Sequence, residues 1–131
     1  MIDLSQIEAA PIDDRIKGMP GGLAPTALGE IGRQGWNLLR EDLPLPVAVL
    51  RRSALARNSK WMREFLALSG AVIAPHGKTT MSPQLFQQQI SDGAWAMTVA
   101  TLQQLRICRH FGFNRVVLAG KWHEGESRKE P

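Results

Sequence analysis

The chain has 131 residues, of which 44% are hydrophobic and 21% charged, and its formal net charge is +4. This length suits one domain of ordinary size, and no apolar run approaches the roughly 18 residues of a membrane span, so we expect no membrane partner. Basic residues are spread along the chain and form no stripe interleaved with aromatic residues, which argues against nucleic-acid binding. The single cysteine, Cys108, excludes an internal disulfide and favours a cytoplasmic location.

Residues 1–45 have the weakest periodicity, and we interpret them as an N-terminal lead-in segment rather than a domain. Glycine and proline are concentrated between residues 18 and 46, where they interrupt regular structure. A short amphipathic helix is predicted from about Thr26 to Leu39, although each glycine inside it weakens it by about 1 kcal/mol relative to alanine. We expect this segment to lie on a body formed by the residues that follow.

From residue 46 onward, short apolar runs alternate with amphipathic segments. The runs predict four buried strands, at 47–50, 71–74, 97–100 and 116–119. The amphipathic segments between them end at glycines, which is typical of βα units in a parallel sheet covered by helices. We therefore predict an α/β fold for residues 46–119.

Capping residues mark the three helices between these strands. Ser53 is a suitable N-cap for the first helix. Ser82 followed by Pro83 predicts the start of the second, because the first helical position does not need an N–H. Thr101 with Gln104 three residues later forms a capping box for the third.

A lysine follows the second predicted strand. Lys78 lies just past its carboxyl end, where the βα loops of parallel folds place functional groups. An amine partly withdrawn from water is available to form a Schiff base, and Gly77 beside it leaves room for a planar ligand. A solvated surface lysine is the alternative from the residues alone. A phosphate-binding P-loop is excluded, because Val72 stands where that motif needs its first glycine.

Two further candidates have structural explanations. Thr101 ends the third strand at the same edge, but its capping role already explains it. Cys108 and His110 are two positions apart on a predicted helix and therefore face different directions, so we predict no metal site.

Several stretches, taken in order, carry a resemblance to a known family. They are Gly35–Leu39, Asp42–Val47, Ala74–Met81 (APHGKTTM), Ser82–Phe86, Gly93–Trp95 and Thr98–Thr101. Over about residues 17–119 the chain resembles the opening part of fold-type III pyridoxal-phosphate (PLP) enzymes, the alanine racemase N-terminal-domain group. It is most similar to the D-serine dehydratase/D-threonine aldolase branch, and especially to its amino acid deaminases.

The resemblance implies a site and a fold. Lys78 would hold PLP and act as a base on the Cα of a D-amino acid substrate. His76 would orient the cofactor site, and the alternative from the residues alone is a structural histidine beside a turn. The fold would be a partial (β/α)8 TIM-type barrel containing about the first three βα units. The divalent metal of the dehydratase branch would lie in a C-terminal domain that is absent here.

The resemblance ends near residue 119. Residues 120–131 have no apolar period, and we expect a disordered tail that is foreign to the family. We therefore expect an N-terminal fragment of a PLP-dependent lyase, an amino acid deaminase or D-serine dehydratase-like protein, that is inactive alone, so that whether the chain is an enzyme stays open. Its bare barrel surface would permit association with other chains. The alternative is a small, non-catalytic α/β binding protein.

Overall fold

The computed structural model describes residues 1–120, and the chain divides into two compact units. One is Asp3–Leu55, and the other is Met1–Ile2 with Ala56–Pro131, which is described as far as Gly120. The predicted boundary between residues 45 and 46, which separates a lead-in segment from a barrel domain, stays a prediction. Apart from Gly120, the predicted tail lies outside the described residues.

The unit Asp3–Leu55 contains only short elements. They are helix α1 (Ser5–Glu8), the antiparallel strands β1 (Pro11–Ile12) and β2 (Thr26–Ala27), and 3₁₀ helices at Leu28–Gln34 and Leu38–Arg40. The single helix predicted from about Thr26 to Leu39 is therefore wrong. Gly35 adopts a left-handed φ of 66° that ends the first 3₁₀ helix, and the Asn37 side chain caps the second by accepting the Leu39 N–H.

The apolar run at 47–50 is not a strand in the structure, and the prediction there is wrong. Its backbone is irregular, and Val49 and Leu50 are exposed. A continuous apolar run predicts a buried strand only if neighbouring strands pair with it, and no pairing involves residues 47–50 among the described residues.

The second unit alternates helices and strands. Its elements are α2 (Arg52–Ser69, which begins just before the unit), a 3₁₀ helix at Gly77–Thr79, α3 (Pro83–Ser91), β3 (Met97–Val99), α4 (Leu102–His110) and β4 (Val116–Leu118). β3 and β4 are parallel, with Met97 opposite Val116 and Val99 opposite Leu118. The predicted α/β class is confirmed at this level, as are the strands near 97–100 and 116–119.

The segment predicted as a strand at 71–74 is not a regular strand, but it lies beside β3. The Trp95 N–H donates to the Ile73 carbonyl and the Thr98 N–H to the Pro75 carbonyl, both at 2.8 Å. A single parallel bridge joins His76 to Thr98. The segment therefore runs parallel to β3 on the side away from β4, although it forms too few ladder bonds to count as a strand.

Two of the three predicted helix starts are confirmed. Ser82 Oγ accepts the Leu85 N–H at 3.4 Å at the start of α3. Thr101 Oγ1 accepts the Gln104 N–H at 3.2 Å at the start of α4, and Gln104 Oε1 accepts the Ala100 N–H at 2.8 Å. Ser53 lies inside α2 and does not cap it, because that helix begins at Arg52.

The core of the second unit is small and is formed mainly by residues of the β3–α4–β4 unit. Five buried side chains form it: Phe86, Met97, Val99, Cys108 and Phe113. The rings of Phe86 and Phe113 meet edge to face at 5.7 Å between centroids. No residue of α2 is buried. Among residues 1–120 no helix is long and apolar enough to cross a membrane.

Candidate functional site

Three chain segments end at the same edge of the second unit. The segment before Lys78, β3 and β4 run in parallel, so their carboxyl ends lie side by side. These ends are His76–Lys78, Ala100–Thr101 and Ala119–Gly120. The Ala119 N–H donates to the Val99 carbonyl at 2.8 Å, which holds the last two ends together. The predicted position of Lys78, at the carboxyl end of a parallel segment, is therefore found in the structure.

Lys78 is exposed within the 3₁₀ helix Gly77–Thr79. Its amine forms no salt bridge with any residue that the structure describes. Since Lys78 is exposed, the partial withdrawal from water expected from the sequence is not found among the described residues. What the structure does provide is an exposed lysine whose amine has no salt-bridge partner among residues 1–120.

His76 caps the short helix that carries the lysine. Its Nδ1 accepts the Lys78 backbone N–H at 3.2 Å, so a neutral ring has its proton on Nε2. The Met81 N–H donates to the Gly77 carbonyl at 2.9 Å and closes the turn on the other side. His76 therefore orients the backbone of Lys78, while its exposed ring leaves Nε2 accessible.

Gly77 serves packing and not ligand space. A Cβ built on Gly77 would overlap the Phe86 ring, with Cε1 at 2.8 Å and Cε2 at 3.2 Å. The expectation that this glycine leaves room for a planar ligand is wrong, because the room is filled by a core side chain. A Cβ on Gly120, at the same edge, would likewise overlap the Ala100 carbonyl.

Sequence reasoning missed two residues that hold the lysine turn. Thr98 Oγ1 donates to the Ala74 carbonyl at 2.7 Å. Met81 has a φ of 42°, a left-handed conformation that is uncommon for a residue with a side chain. A threonine in a predicted strand is ordinary, and the Met81 conformation has no signature in the sequence. Neither could be found without the structure.

The other candidates behave as structural residues. The Thr101 hydroxyl is used in its cap. Cys108 is fully buried, and burial raises the pKa of its thiol. His110 is exposed and packs edge-on against the Phe111 ring at 4.8 Å. No group of three His, Cys, Asp or Glu side chains within residues 1–120 is placed to hold a metal ion.

No family model matches the chain, and a search of curated proteins finds no match. The site must therefore be judged from its own residues. An exposed primary amine fits one part of PLP, the aldehyde with which it can condense. Neither glycine at this edge opens a space for the ring or the phosphate, because each meets protein atoms where a side chain would be. Among the described residues, Lys78 could attach the cofactor aldehyde, but the glycines leave no space that would enclose the ring or the phosphate.

Proposed function

We propose that this chain carries the cofactor-attaching segment of a PLP-dependent lyase of the alanine racemase N-terminal-domain group. The activity proposed is that of an amino acid deaminase or D-serine dehydratase-like enzyme acting on D-amino acids. The supporting observation is the exposed Lys78, whose amine has no salt-bridge partner among residues 1–120, at the carboxyl end of a segment parallel to β3. The motif Ala74–Met81 supports the same assignment.

Each residue has a defined task in this proposal. Lys78 Nζ would hold PLP and would take up or return the proton at the substrate Cα. His76 Nδ1 holds the Lys78 N–H and so fixes where the lysine side chain begins. When bound, PLP itself supplies the electron sink that stabilises the carbanion at that carbon.

We further propose that the 131-residue chain does not turn over substrate by itself. The described residues bring three segment ends together, whereas a closed barrel of the proposed type has eight. The substrate side chain and the cofactor phosphate both need partners, and the amine alone supplies neither. Attachment without turnover is the behaviour expected of this chain.

Reductive labelling tests the proposed role of Lys78. The protein is incubated with PLP, reduced with borohydride, digested and analysed by mass spectrometry. We expect Lys78 to be labelled in preference to Lys60, which is exposed but paired with Glu64 at 3.8 Å. Free pyridoxal in place of PLP shows how much of the preference depends on the phosphate.

Two variants complete the design. Lys60→Ala should leave the label at Lys78 unchanged, whereas Lys78→Ala should remove most of the total label. Equal labelling of all lysines in the folded parent, or unchanged total label in Lys78→Ala, would contradict the proposed site.

A second candidate function, binding of other protein chains without catalysis, is favoured by the surface of α2. Trp61 and Leu68 are 60% and 89% exposed, and Phe65 stacks on Trp61 at 5.5 Å between ring centroids. These three residues, spaced four and three apart, form one apolar strip on the outer side of the helix. Such a strip is typical of association surfaces.

Sedimentation velocity across a concentration series tests this candidate. Association through the strip predicts a sedimentation coefficient that rises with concentration and falls back in Trp61→Ser/Phe65→Ser. Arg52→Ser, on the opposite face of the same helix, is the matched control. A parent that stays a monomer at every concentration would exclude association through α2.

A further inference from the structure

Three residues hold the turn that carries Lys78, and none of them has a chemical role in the proposed function. The first is Thr98, whose hydroxyl donates to the Ala74 carbonyl at 2.7 Å and whose N–H donates to the Pro75 carbonyl at 2.8 Å. One residue of β3 therefore satisfies two consecutive carbonyls just before the lysine turn. The hydroxyl bond is additional to the regular strand pattern and is partly buried, so its loss leaves a carbonyl short of a partner.

The second point is Phe86. Its ring is 1% exposed and lies against Gly77, the residue directly before the lysine. Because glycine has no Cβ, the ring approaches the backbone more closely than it could at any other residue. Because Phe86 also packs on Phe113, the turn is fixed to the centre of the core.

The third point is Met81, which closes the turn. Its left-handed φ of 42° is unfavourable for a residue with a side chain. Such conformations persist only where the surroundings enforce them. Here the Met81 N–H donates to the Gly77 carbonyl, and its side chain packs against the core cluster.

We infer that Thr98 and Phe86 are positioning residues that fix the Lys78 backbone over the ends of the parallel segments. The inference rests on the proposed role of Lys78. The lysine side chain has several rotatable bonds. The range of positions open to its amine is therefore restricted only if the backbone is fixed. The hydroxyl on β3 and the ring on α3 fix that backbone from two different elements of the fold.

Matched substitutions at Thr98 separate positioning from general packing. Thr98→Val keeps the branched shape and removes the O–H, whereas Thr98→Ser keeps the O–H and removes the methyl group. Hydrogen exchange of the Lys78 and Met81 amides reports the turn, and the Leu105 amide, bonded to the Thr101 carbonyl within α4, is the internal control. We expect exchange at the turn to be about fivefold faster in Thr98→Val, with Leu105 unchanged and Thr98→Ser close to the parent.

Labelling by PLP provides the functional readout in the same variants. We expect the ratio of label at Lys78 to label at Lys60 to fall about fivefold in Thr98→Val and to be restored in Thr98→Ser. Phe86→Leu is the second variant if Thr98→Val fails to fold, and it should change exchange and labelling in the same direction. Circular dichroism confirms that each variant is folded before either measurement.

The outcomes distinguish the inference from the proposed function. Unchanged exchange at the turn in folded Thr98→Val and Phe86→Leu would overturn the positioning role. Faster exchange with no change in the labelling ratio would also overturn it, since the turn would then move without effect on the amine. Faster exchange in a protein whose parent shows no preference for Lys78 would overturn the proposed function and leave the three-point support of the turn in place.

Discussion

The ring of Phe86 occupies the space that a side chain on Gly77 would need. Its Cε1 and Cε2 atoms lie 2.8 and 3.2 Å from the position of a Cβ on that glycine. The backbone next to Lys78 is thereby in direct contact with the core of the second unit. The stability of the fold and the geometry of the lysine turn are linked through this one contact.

Gly77→Ala should destabilise the protein because it places a methyl group inside the Phe86 ring. We expect the free energy of unfolding to fall by about 1–3 kcal/mol, the usual range for overpacking. Urea unfolding followed by circular dichroism measures the change. Gly32→Ala is the control, because a Cβ there meets no atom within 4 Å, and it should be neutral within about 0.5 kcal/mol.

Combining Gly77→Ala with Phe86→Leu tests whether the contact itself causes that loss. If it does, the smaller side chain relieves the overlap, and the double variant loses less stability than the sum of the two single variants. A coupling of about 0.5–3 kcal/mol is typical of residues in contact. Strict additivity would show that the destabilisation has another origin.

Thr101→Ala should destabilise α4 by removing its N-cap. Loss of the bond from the Gln104 N–H to Thr101 Oγ1 is expected to lower the free energy of unfolding by about 1 kcal/mol. Thr101→Ser retains the oxygen and should be close to the parent in the same urea titration. A similar loss in both variants would mean that the Thr101 methyl group, and not the cap, stabilises the helix.

Asp92 at the end of α3 should make stability depend on pH in the acid range. Partial burial tends to raise the pKa of Asp92, but hydrogen bonds from Ser59, Gln88 and Arg63, with the charge of Arg63, outweigh it and lower the pKa below its usual value. The carboxylate is therefore favoured by folding. Its contribution is complete above the unfolded-state pKa of about 3.9 and is lost as the pH falls through the lower folded-state pKa.

Asp92→Asn measures this contribution by difference. We expect the variant to be less stable than the parent near neutral pH, and the gap to narrow as the pH falls below about 4. Denaturant titrations at several pH values give the gap directly. A gap that does not change with pH would show that the carboxylate charge is not what Arg63 stabilises.

Cys108 should be unreactive in the folded protein. It is fully buried, and burial raises the pKa of its thiol, so the reactive thiolate is both rare and inaccessible. We expect a thiol reagent to modify Cys108 only at the rate at which the chain opens, and to modify it rapidly in urea. Rapid modification under native conditions would show that the core of the second unit opens locally.

The elements predicted well are those whose signals are local. Ser82 and Thr101 cap their helices through N–H groups only three residues away, and the structure confirms both caps. The reciprocal bond of the predicted box goes from the Ala100 N–H, and not the Thr101 N–H, to Gln104 Oε1. The strands near 97–100 and 116–119 pair with each other across a single helix, so their short apolar runs were sufficient.

The features predicted poorly depend on partners that the local sequence does not specify. Residues 47–50 have the composition of a buried strand, but burial requires a neighbouring strand, which a run of apolar residues cannot specify. The sequence predicts that Gly77 leaves room for a ligand, because nothing in it shows that Phe86 lies against this glycine. The position of Lys78 at the carboxyl end of a parallel segment was predictable, whereas the supports of its turn at Thr98 and Met81 were not.

The parallel pairing of β3 and β4 has a consequence for how the chain acquires its structure. The two strands are joined through α4 alone, and Met97, Val99, Cys108 and Phe113 are all buried within this short stretch. Contacts between residues close in sequence form with little loss of chain entropy. We therefore predict that the β3–α4–β4 unit forms early in folding and that Phe86 then packs the lysine turn against it.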